Sequence, residues 1–426
     1  MILYPEKSNE LKNYQQPQNA FLPHRVTIPL CEEYNTVCKS LVKPGDVVYE
    51  GQLIAQPSNR TKTGIHSSLP GVVEDIINCQ CPNGKTEKAV KINLTGSFNY
   101  LGKLIPETGI SELSPAQITE LIFGKGVVNT FNSLKPVNLG QQIKSFKGNS
   151  LVVRLFDDDS SCITDRLTTK FYLNNVICAA ELVAKAAGCA NTIFVIGKAQ
   201  KIDDSLFEKG KHIIYSVNES RYSLGLKEII ISEFNKLKNS PLKLSKNDLF
   251  CDAVTLYETY QSVTRGIPSI NRLIHISGNC LKASCFLNIK IGTSIRDVIS
   301  QIGGLIKNPK QIIINGSIRG YSAGSLDMPV TKYVKSISLI SSKTKSDCVI
   351  YDCINCGNCR FVCTESLLPD LIYNEAINFN EPSEPVRKMI FKCIGCAKCN
   401  MVCPSRIPIS QMINTLKEEA EARKEL

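Results

Sequence analysis

The pattern of apolar and polar positions changes period several times along the chain. Residues 150–156 (SLVVRLF) form a nearly continuous apolar run, the pattern of a strand buried on both faces. Residues 177–188 (ICAAELVAKAAG) carry apolar positions at helical spacing and predict a helix. NTIFVIG at 191–197 reads as the next strand and EIIISEFNKL at 228–237 as the next helix. Strand, helix and strand in this order predict a parallel sheet, so residues 106–264 read as one α/β domain.

Shorter elements flank that domain. VKPGDVVYEGQLIAQ (42–56) and IHSSLPGVVEDI (65–76) alternate like strands, with Gly45-Asp46 and Gly71 as turn residues. The pair has the look of a barrel-sandwich hybrid, placed within residues 1–105. Carriers with that fold present a modified lysine at a hairpin tip. Here Lys62 has no carrier-type sequence around it, so a structural module is expected. Residues 265–344 form a β-rich block. Strands are expected at RLIHISGNC (272–280), IIINGSIRG (312–320) and SISLIS (336–341). Between the first two lies a helix within 291–304 capped by Thr293 or Ser294.

Residues 345–426 carry the most specific signal. Two cysteine runs share one spacing: Cys353, Cys356, Cys359 and Cys363, then Cys393, Cys396, Cys399 and Cys403. C-x2-C-x2-C-x3-C is the bacterial [4Fe–4S] ferredoxin pattern. Three thiolates two residues apart reach three irons of one cubane, and the fourth points to the other cluster. The expected sets are therefore Cys353, Cys356, Cys359 and Cys403 for one cluster, and Cys393, Cys396, Cys399 and Cys363 for the second. Gly357 and Ala397 follow the second cysteine of each run, where bulk would collide with the cluster. Structural zinc is the competing reading, but zinc sites rarely use this four-cysteine spacing twice. Thr364 stands where the pattern has the proline that the second run keeps at Pro404. Leu367, Leu371, Ile372 and Ala376 share a helix face, followed by a turn at Pro382 and Pro385. A helix carrying Ile409, Met412, Ile413 and Leu416 closes the chain.

Composition narrows the function classes. With 426 residues, 43% hydrophobic and 21% charged, the chain has room for several domains with cores of their own. No 18-residue apolar run and no apolar signal core occur, so a cytoplasmic protein without a membrane span is expected. The net charge of +11 is spread without a basic block, which argues against nucleic acid. In a reducing compartment, 19 cysteines imply metal or redox chemistry. Outside the two runs, Cys162, Cys178, Cys189 and Cys251 read as small buried hydrophobes. Cys31/Cys38 and Cys280/Cys285 read the same way, with a redox thiol pair as the alternative. Cys79 and Cys81 form a CQC, and Cys348 precedes the first run. No paired-carboxylate or Ser/His/Asp constellation stands out.

The ordered set of pieces resembles a known family over nearly the whole chain: the C subunit of Rnf-type ferredoxin:NAD oxidoreductases. The residues that carry it are IPL (28–30), VKPGDVVYEGQLIA, HSSLPGVV (66–73), the block from SGNC to KYV (277–334) and the two cysteine motifs. The resemblance implies a multidomain α/β and α+β fold: barrel-sandwich hybrid, Rossmann-like domain, β-grasp (SLBB-like) domain and a helical ferredoxin-like module. Within the family the chain looks most like the soluble electron-transfer protein associated with proline reductase in amino-acid-fermenting anaerobes.

The family holds FMN and NADH with a GxGGxGFP turn, where bare backbone approaches phosphate and flavin. The matching stretch here, FGKGVVNTFNSLKPV (123–137), keeps only Gly124 and Gly126 and is shorter. The family's acidic GAECEPY stretch is matched only by RLFDDDSS (154–161). Asp157, Asp158 and Asp159 read as a solvated acidic loop, with a remnant of that stretch as the alternative. His66 matches the family's strand motif and looks structural. FMN and NADH binding in the family manner is not expected. The expected function is an iron–sulfur electron carrier between a redox-protein donor and a reductase acceptor, proline reductase by resemblance. The alternative is an FMN-containing NADH dehydrogenase subunit, and peripheral membrane association stays open.

Overall fold

The computed structural model describes residues 11–31, 38–57, 64–107, 109–133, 135–218, 222–237, 241–341, 349–379 and 381–424. Lys62 and Cys348 lie outside them. The chain divides into two compact units, residues 1–341 and 342–426.

Among the described residues the first unit holds five sheets, the smallest a two-stranded pair of Val128–Asn129 and Val137–Asn138. Near the N-terminus, strands Arg25–Pro29, Thr86–Leu94, Gly71–Gln80 and Val47–Val48 make one antiparallel sheet. Cys38–Ser40, Leu53–Pro57 and Ile65–His66 make a second. Val26, Ile28, Ile54, Ile65, Leu69 and Ile92 fill the space between them, each at most 1% exposed. Gly45 is a turn residue as expected, with φ of 91°. Gly71 is not. It opens a ten-residue strand, and a Cβ there would collide with the Asn93 carbonyl oxygen. Close backbone approach, not a turn, requires glycine at that position.

The middle of the chain forms a fully parallel four-stranded sheet in the order His212–Val217, Asn191–Gly197, Ser150–Arg154, Leu249–Asp252. The apolar runs read from sequence are its two central strands. Helix Thr164–Ala187 is longer than the expected 177–188, and Ala253–Thr264 is a further helix beyond those expected from periodicity. Strand succession runs outward from Ser150–Arg154 and then returns to its other side. Topology therefore reverses between Ser150–Arg154 and Leu249–Asp252.

Next comes a six-stranded mixed sheet in the order Gln18–Asn19, Cys285–Lys290, Asn271–Ser277, Ser336–Ile340, Gln311–Ile314, Tyr321–Ala323. Helix Ile295–Gln301 contributes Ile295, Val298 and Ile299 to its core. Ser294 is the cap, accepting from the Asp297 amide at 3.0 Å. IIINGSIRG is a strand followed by a turn, since Asn315 and Gly316 have φ of 61° and 101°. The sheets interlock across the chain. Gln18–Asn19 pairs with Leu287–Asn288, and Lys290 Nζ reaches Glu50 Oε1 at 2.5 Å inside the protein.

The second unit is helical: Asn358–Phe361, Pro369–Asn378, Glu384–Lys392, Lys398–Val402 and Ile409–Lys424. Leu371, Ile372 and Ala376 lie on one helix as expected. Pro385, expected in a turn, sits instead in the first turn of Glu384–Lys392. Among the described residues no helix is long and apolar enough to cross a membrane.

Substituting Gly71→Ala should destabilise the first unit by about 1–3 kcal/mol, the cost of forcing bulk into a packed site. Thermal melting should show it, and an unchanged midpoint would refute the close-approach explanation.

Candidate iron–sulfur centre and the strand-end crevice

The second unit repeats itself at the backbone level. Asn355 and Gly395 have φ of 53° and 64°, Gly357 and Ala397 of 73° and 55°, and Ser366 and Arg406 of 52° and 57°. Each pair, like each pair of matching cysteines, is separated by 40 residues. Left-handed residues curl each loop before its short helix. A Cβ at Gly357 would meet nothing within 4 Å, so the protein's own packing does not demand a small residue there. The left-handed backbone does favour one, and Ala397 carries that strain at about 1–2 kcal/mol.

The curled loops place the thiols. Cys353, Cys356, Cys359 and Cys403 line one cavity together with Asp370 and Tyr373. The cysteine from the second run has thus crossed to the first. Cys399 lies near enough to Cys396, Cys393 and Cys359 for their charges to act on it, and Cys393 near enough to Cys396 and Cys363. The first of the two expected sets thus shares one cavity. Burial and then the neighbouring sulfurs push the Cys399 thiol up to about 12, and burial also raises Cys393 and Cys359. Thiols gathered in this way resist ionisation unless cations balance the thiolates, which a set of irons does. Backbone amides also reach sulfur: Leu367 N–H donates to Cys363 Sγ at 3.3 Å and Gly395 N–H to Cys393 Sγ at 3.5 Å. Four thiols line one void and amides reach sulfurs of the other run's group, a donor chemistry that suits a cubane cluster, while among the described residues no group of three or more such side chains is already arranged to hold a metal ion.

The first unit has a second place of interest, at the carboxyl ends of its parallel strands. In open α/β sheets ligands bind in the crevice where topology reverses. Arg154 and Asp252 end the two strands at that point and face each other in register. Arg154 is 0% exposed and its guanidinium stacks 4.2 Å from the Phe131 ring centre. It donates to the Gly225 carbonyl at 2.6 Å and lies 3.7 Å from both Asp158 and Asp165. Lys335 Nζ bridges Asp165 Oδ2 at 2.6 Å and Asp252 Oδ2 at 2.9 Å. Arg319 meets Asp158 at 2.6 Å, and Arg272 meets Glu258 at 2.6 Å.

These contacts correct the reading of Asp157, Asp158 and Asp159 as a solvated loop: they are 4%, 7% and 0% exposed. The cations beside Asp158 come from residues 154 and 319, one of them far along the chain, so local sequence could not reveal the burial. Asp157 accepts from the Asp165 and Arg166 amides and caps helix Thr164–Ala187. Asp159 Oδ2 accepts from the Ile318 and Arg319 amides.

Residues 126–132 are drawn into the same network. Lys332 donates to the Gly126 carbonyl at 3.1 Å, and Thr130 Oγ1 donates to Asp252 at 2.9 Å. Asn129 Nδ2 donates to the Phe250 carbonyl at 2.7 Å, and Arg319 donates to Asn132 Oδ1 at 3.2 Å. Asn129, Thr130 and Phe131 are buried beside the strand ends, and Val127 packs into the core of the α/β domain.

The remaining cysteines differ in burial. Cys31, Cys38, Cys162, Cys251 and Cys280 are buried, while Cys178, Cys189 and Cys285 are half-buried. Burial pushes the Cys285 thiol up to about 11, which leaves it protonated and a poor nucleophile near neutral pH.

Residues 3–97 match the RnfC barrel sandwich hybrid domain and residues 348–404 the 4Fe-4S dicluster domain. The chain is 24% identical over 381 residues to the C subunit of the proton-translocating ferredoxin:NAD(+) oxidoreductase complex of Clostridium ljungdahlii, covering 87% of this chain and 82% of that protein. It is 22% identical over 357 residues to the C subunit of the Na(+)-translocating ferredoxin:NAD(+) oxidoreductase complex of Acetobacterium woodii, covering 82% and 80%. Among solved structures, NAD+-reducing [NiFe]-hydrogenase in the air-oxidized state superposes with a TM-score of 0.49 at 10% identity, over 74% of this chain and 64% of that one.

His66 gives a test of the packing against residue 124. It is 7% exposed and hydrogen-bonds the Gly124 backbone, and burial, then Lys332 and Lys125, lower its pKa from 6.5 to about 3. The folded state therefore refuses a proton that the unfolded chain accepts. Its stability contribution is complete above pH 6.5 and is lost as pH falls toward 3. At pH 5 the loss should be about 2 kcal/mol, at 1.36 kcal/mol per unit. Denaturant melts between pH 7.5 and 5 should show it, and His66→Gln should flatten the slope.

Proposed function

We propose that this chain, an RnfC-like protein similar over most of its length to the C subunits of ion-translocating ferredoxin:NAD oxidoreductase complexes, is an iron–sulfur electron-transfer protein that passes single electrons through two [4Fe–4S] clusters. The observation that carries the proposal is the crossed grouping of Cys353, Cys356 and Cys359 with Cys403 around one cavity. In this reading Cys393, Cys396, Cys399 and Cys363 hold the second cluster. The clusters supply reversible one-electron chemistry at potentials that the surrounding protein adjusts. The chain supplies eight thiolates, amide donors to sulfur and burial. The rest of the reading has four domains: a barrel-sandwich hybrid over 1–105, a Rossmann-like domain over 106–264, a β-grasp (SLBB-like) domain over 265–344 and the ferredoxin-type module over 345–426.

The donor is then a redox protein and the acceptor a reductase, with proline reductase the candidate drawn from sequence resemblance. The location in this reading is cytoplasmic, free or at the periphery of a membrane complex. The competing reading is an FMN-containing NADH dehydrogenase subunit, and it is favoured by what the relatives are called. Against it stands the filled crevice. Arg154, Lys335, Asn129, Thr130 and Phe131 crowd the strand ends where a doubly wound sheet receives a nucleotide. Admitting a flavin there would break several buried ion pairs, and stripping one partner from such a pair costs about 3–5 kcal/mol.

Two experiments test the proposal. Cys396→Ala should lower iron from about eight to about four per chain, because each run supplies three ligands to its own cubane. Cys363→Ala should damage the same cluster as Cys396→Ala, and unchanged iron in both variants would sink the ligand sets. Anaerobic addition of NADH alone should leave the cluster absorbance unbleached, whereas a reduced low-potential protein donor should bleach it. Rapid stoichiometric reduction by NADH, with flavin released on denaturation, would instead establish the dehydrogenase reading.

A further inference from the structure

The two halves of the cysteine-rich unit share a backbone but not their charges. Asp370 lines the cavity of Cys353, Cys356, Cys359 and Cys403, and its side chain is 3% exposed. Its backbone amide donates to Cys359, and its carboxylate lies close enough for its charge to act on that thiol. Arg360 holds the carboxylate through Nε at 2.8 Å to both oxygens, with a third contact at 2.7 Å. Arg360 is 50% exposed, so water screens its charge more than that of the carboxylate.

Forty residues later the equivalent positions are neutral. Ser410 stands for Asp370 and Asn400 for Arg360, and the Ser410 amide donates to Asn400 Oδ1 at 2.8 Å. The ion pair is thus replaced by a neutral hydrogen bond between the same two positions. The reverse asymmetry occurs two helix turns further on. Lys417 Nζ donates to the carbonyls of Phe391 at 3.1 Å and Cys393 at 3.2 Å, and its charge acts on the Cys393 thiol. The equivalent residue in the first half is Ile377, which is 58% exposed and uncharged.

We propose that Asp370 and Lys417 polarise the repeat, so that an electron delivered to this unit resides on the second thiol set rather than the first. Adding an electron to a cluster adds negative charge. A carboxylate sheltered from water at the wall of the first cavity opposes that addition, and an ammonium bound to the backbone of a second-set ligand favours it. In the transfer between the sets one cluster is oxidised by one electron and the other reduced by one, with no proton or further reactant needed. The proposal rests on the two-cluster reading and adds a direction to it: electrons enter at the Cys353 side and collect at the Cys393 side. Asp370 and Lys417 are tuning residues and not ligands.

The test is an anaerobic redox titration of the intact, cluster-loaded protein followed by electron paramagnetic resonance. Asp370→Asn should raise one midpoint and leave the other in place, and Arg360→Gln should lower that same midpoint. Lys417→Gln should lower the other midpoint. Each change should shift the electron's distribution between clusters about tenfold, which is about 59 mV for one electron. In a Cys396→Ala background, which keeps only the first set's cluster, the Asp370→Asn shift should persist. A purely structural role predicts loss of iron with the surviving midpoints unmoved, and that result would overturn the proposal. Opposite shifts from the two partners of one ion pair would support it. Unsubstituted protein with far fewer than about eight irons would defeat the two-cluster reading itself; full iron with immobile midpoints would defeat only the polarisation.

Discussion

Lys335 is the residue on which the arrangement of the first unit turns. It immediately precedes strand Ser336–Ile340 of the mixed sheet, and its ammonium sits between Asp165 at the start of a helix and Asp252 at the end of a parallel strand. Three ionisable groups that are each at most 3% exposed therefore meet far from bulk water. None of them is tolerable alone, because an uncompensated buried charge costs several kcal/mol. Burial pushes the Asp165 carboxyl up to about 7 against the pull of Lys335, while Asp252 is held well below the usual carboxylate range. One proton-sensitive carboxylate and one firmly ionised one share a single cation. The parallel sheet and the mixed sheet are locked by charge at this point as well as by apolar packing.

That lock has a consequence for chemistry. A doubly wound sheet leaves a crevice at its topological switch point, and backbone exposed there is the usual host for a nucleotide. Here the crevice is occupied by the chain's own cations and by Thr130, Phe131 and Asn129 from the shortened turn. Those side chains pack the strand ends with buried charge. The second unit has a small apolar core: Ile372, Val386, Ile390, Ile407, Ile409 and Ile413 with Cys359 and Cys399. A module with so few apolar residues leans on metal ligation to complete its interior.

Much of this is legible from residue order. The two central strands of the parallel sheet, the turn at Gly45, the cap near Thr293 and Ser294 and the cavity shared by Cys353, Cys356, Cys359 and Cys403 all follow from local rules of period, turn geometry and ligand spacing. Cysteine spacing is especially informative because a cubane imposes its own geometry on any chain that surrounds it. The length of helix Thr164–Ala187 is not legible, since its first turns are rich in threonine and charge and find their partners across the fold. Pro385 misleads because proline punctuates a turn and the first turn of a helix equally well.

The sequence by itself determined the candidate chemistry, thiols in two matched runs of one spacing, and the central strands of the parallel sheet. Tertiary structure alone decided which charges are buried. Asp157, Asp158 and Asp159 look like a solvated run until Arg319 and the loop at residues 316–319 close over them. Gly71 looks like a turn until the Asn93 carbonyl is found against it. The reason is common to both. Local pattern reports the periodicity of an element, whereas burial of a charge or the closeness of two backbones depends on residues brought together from distant parts of the chain.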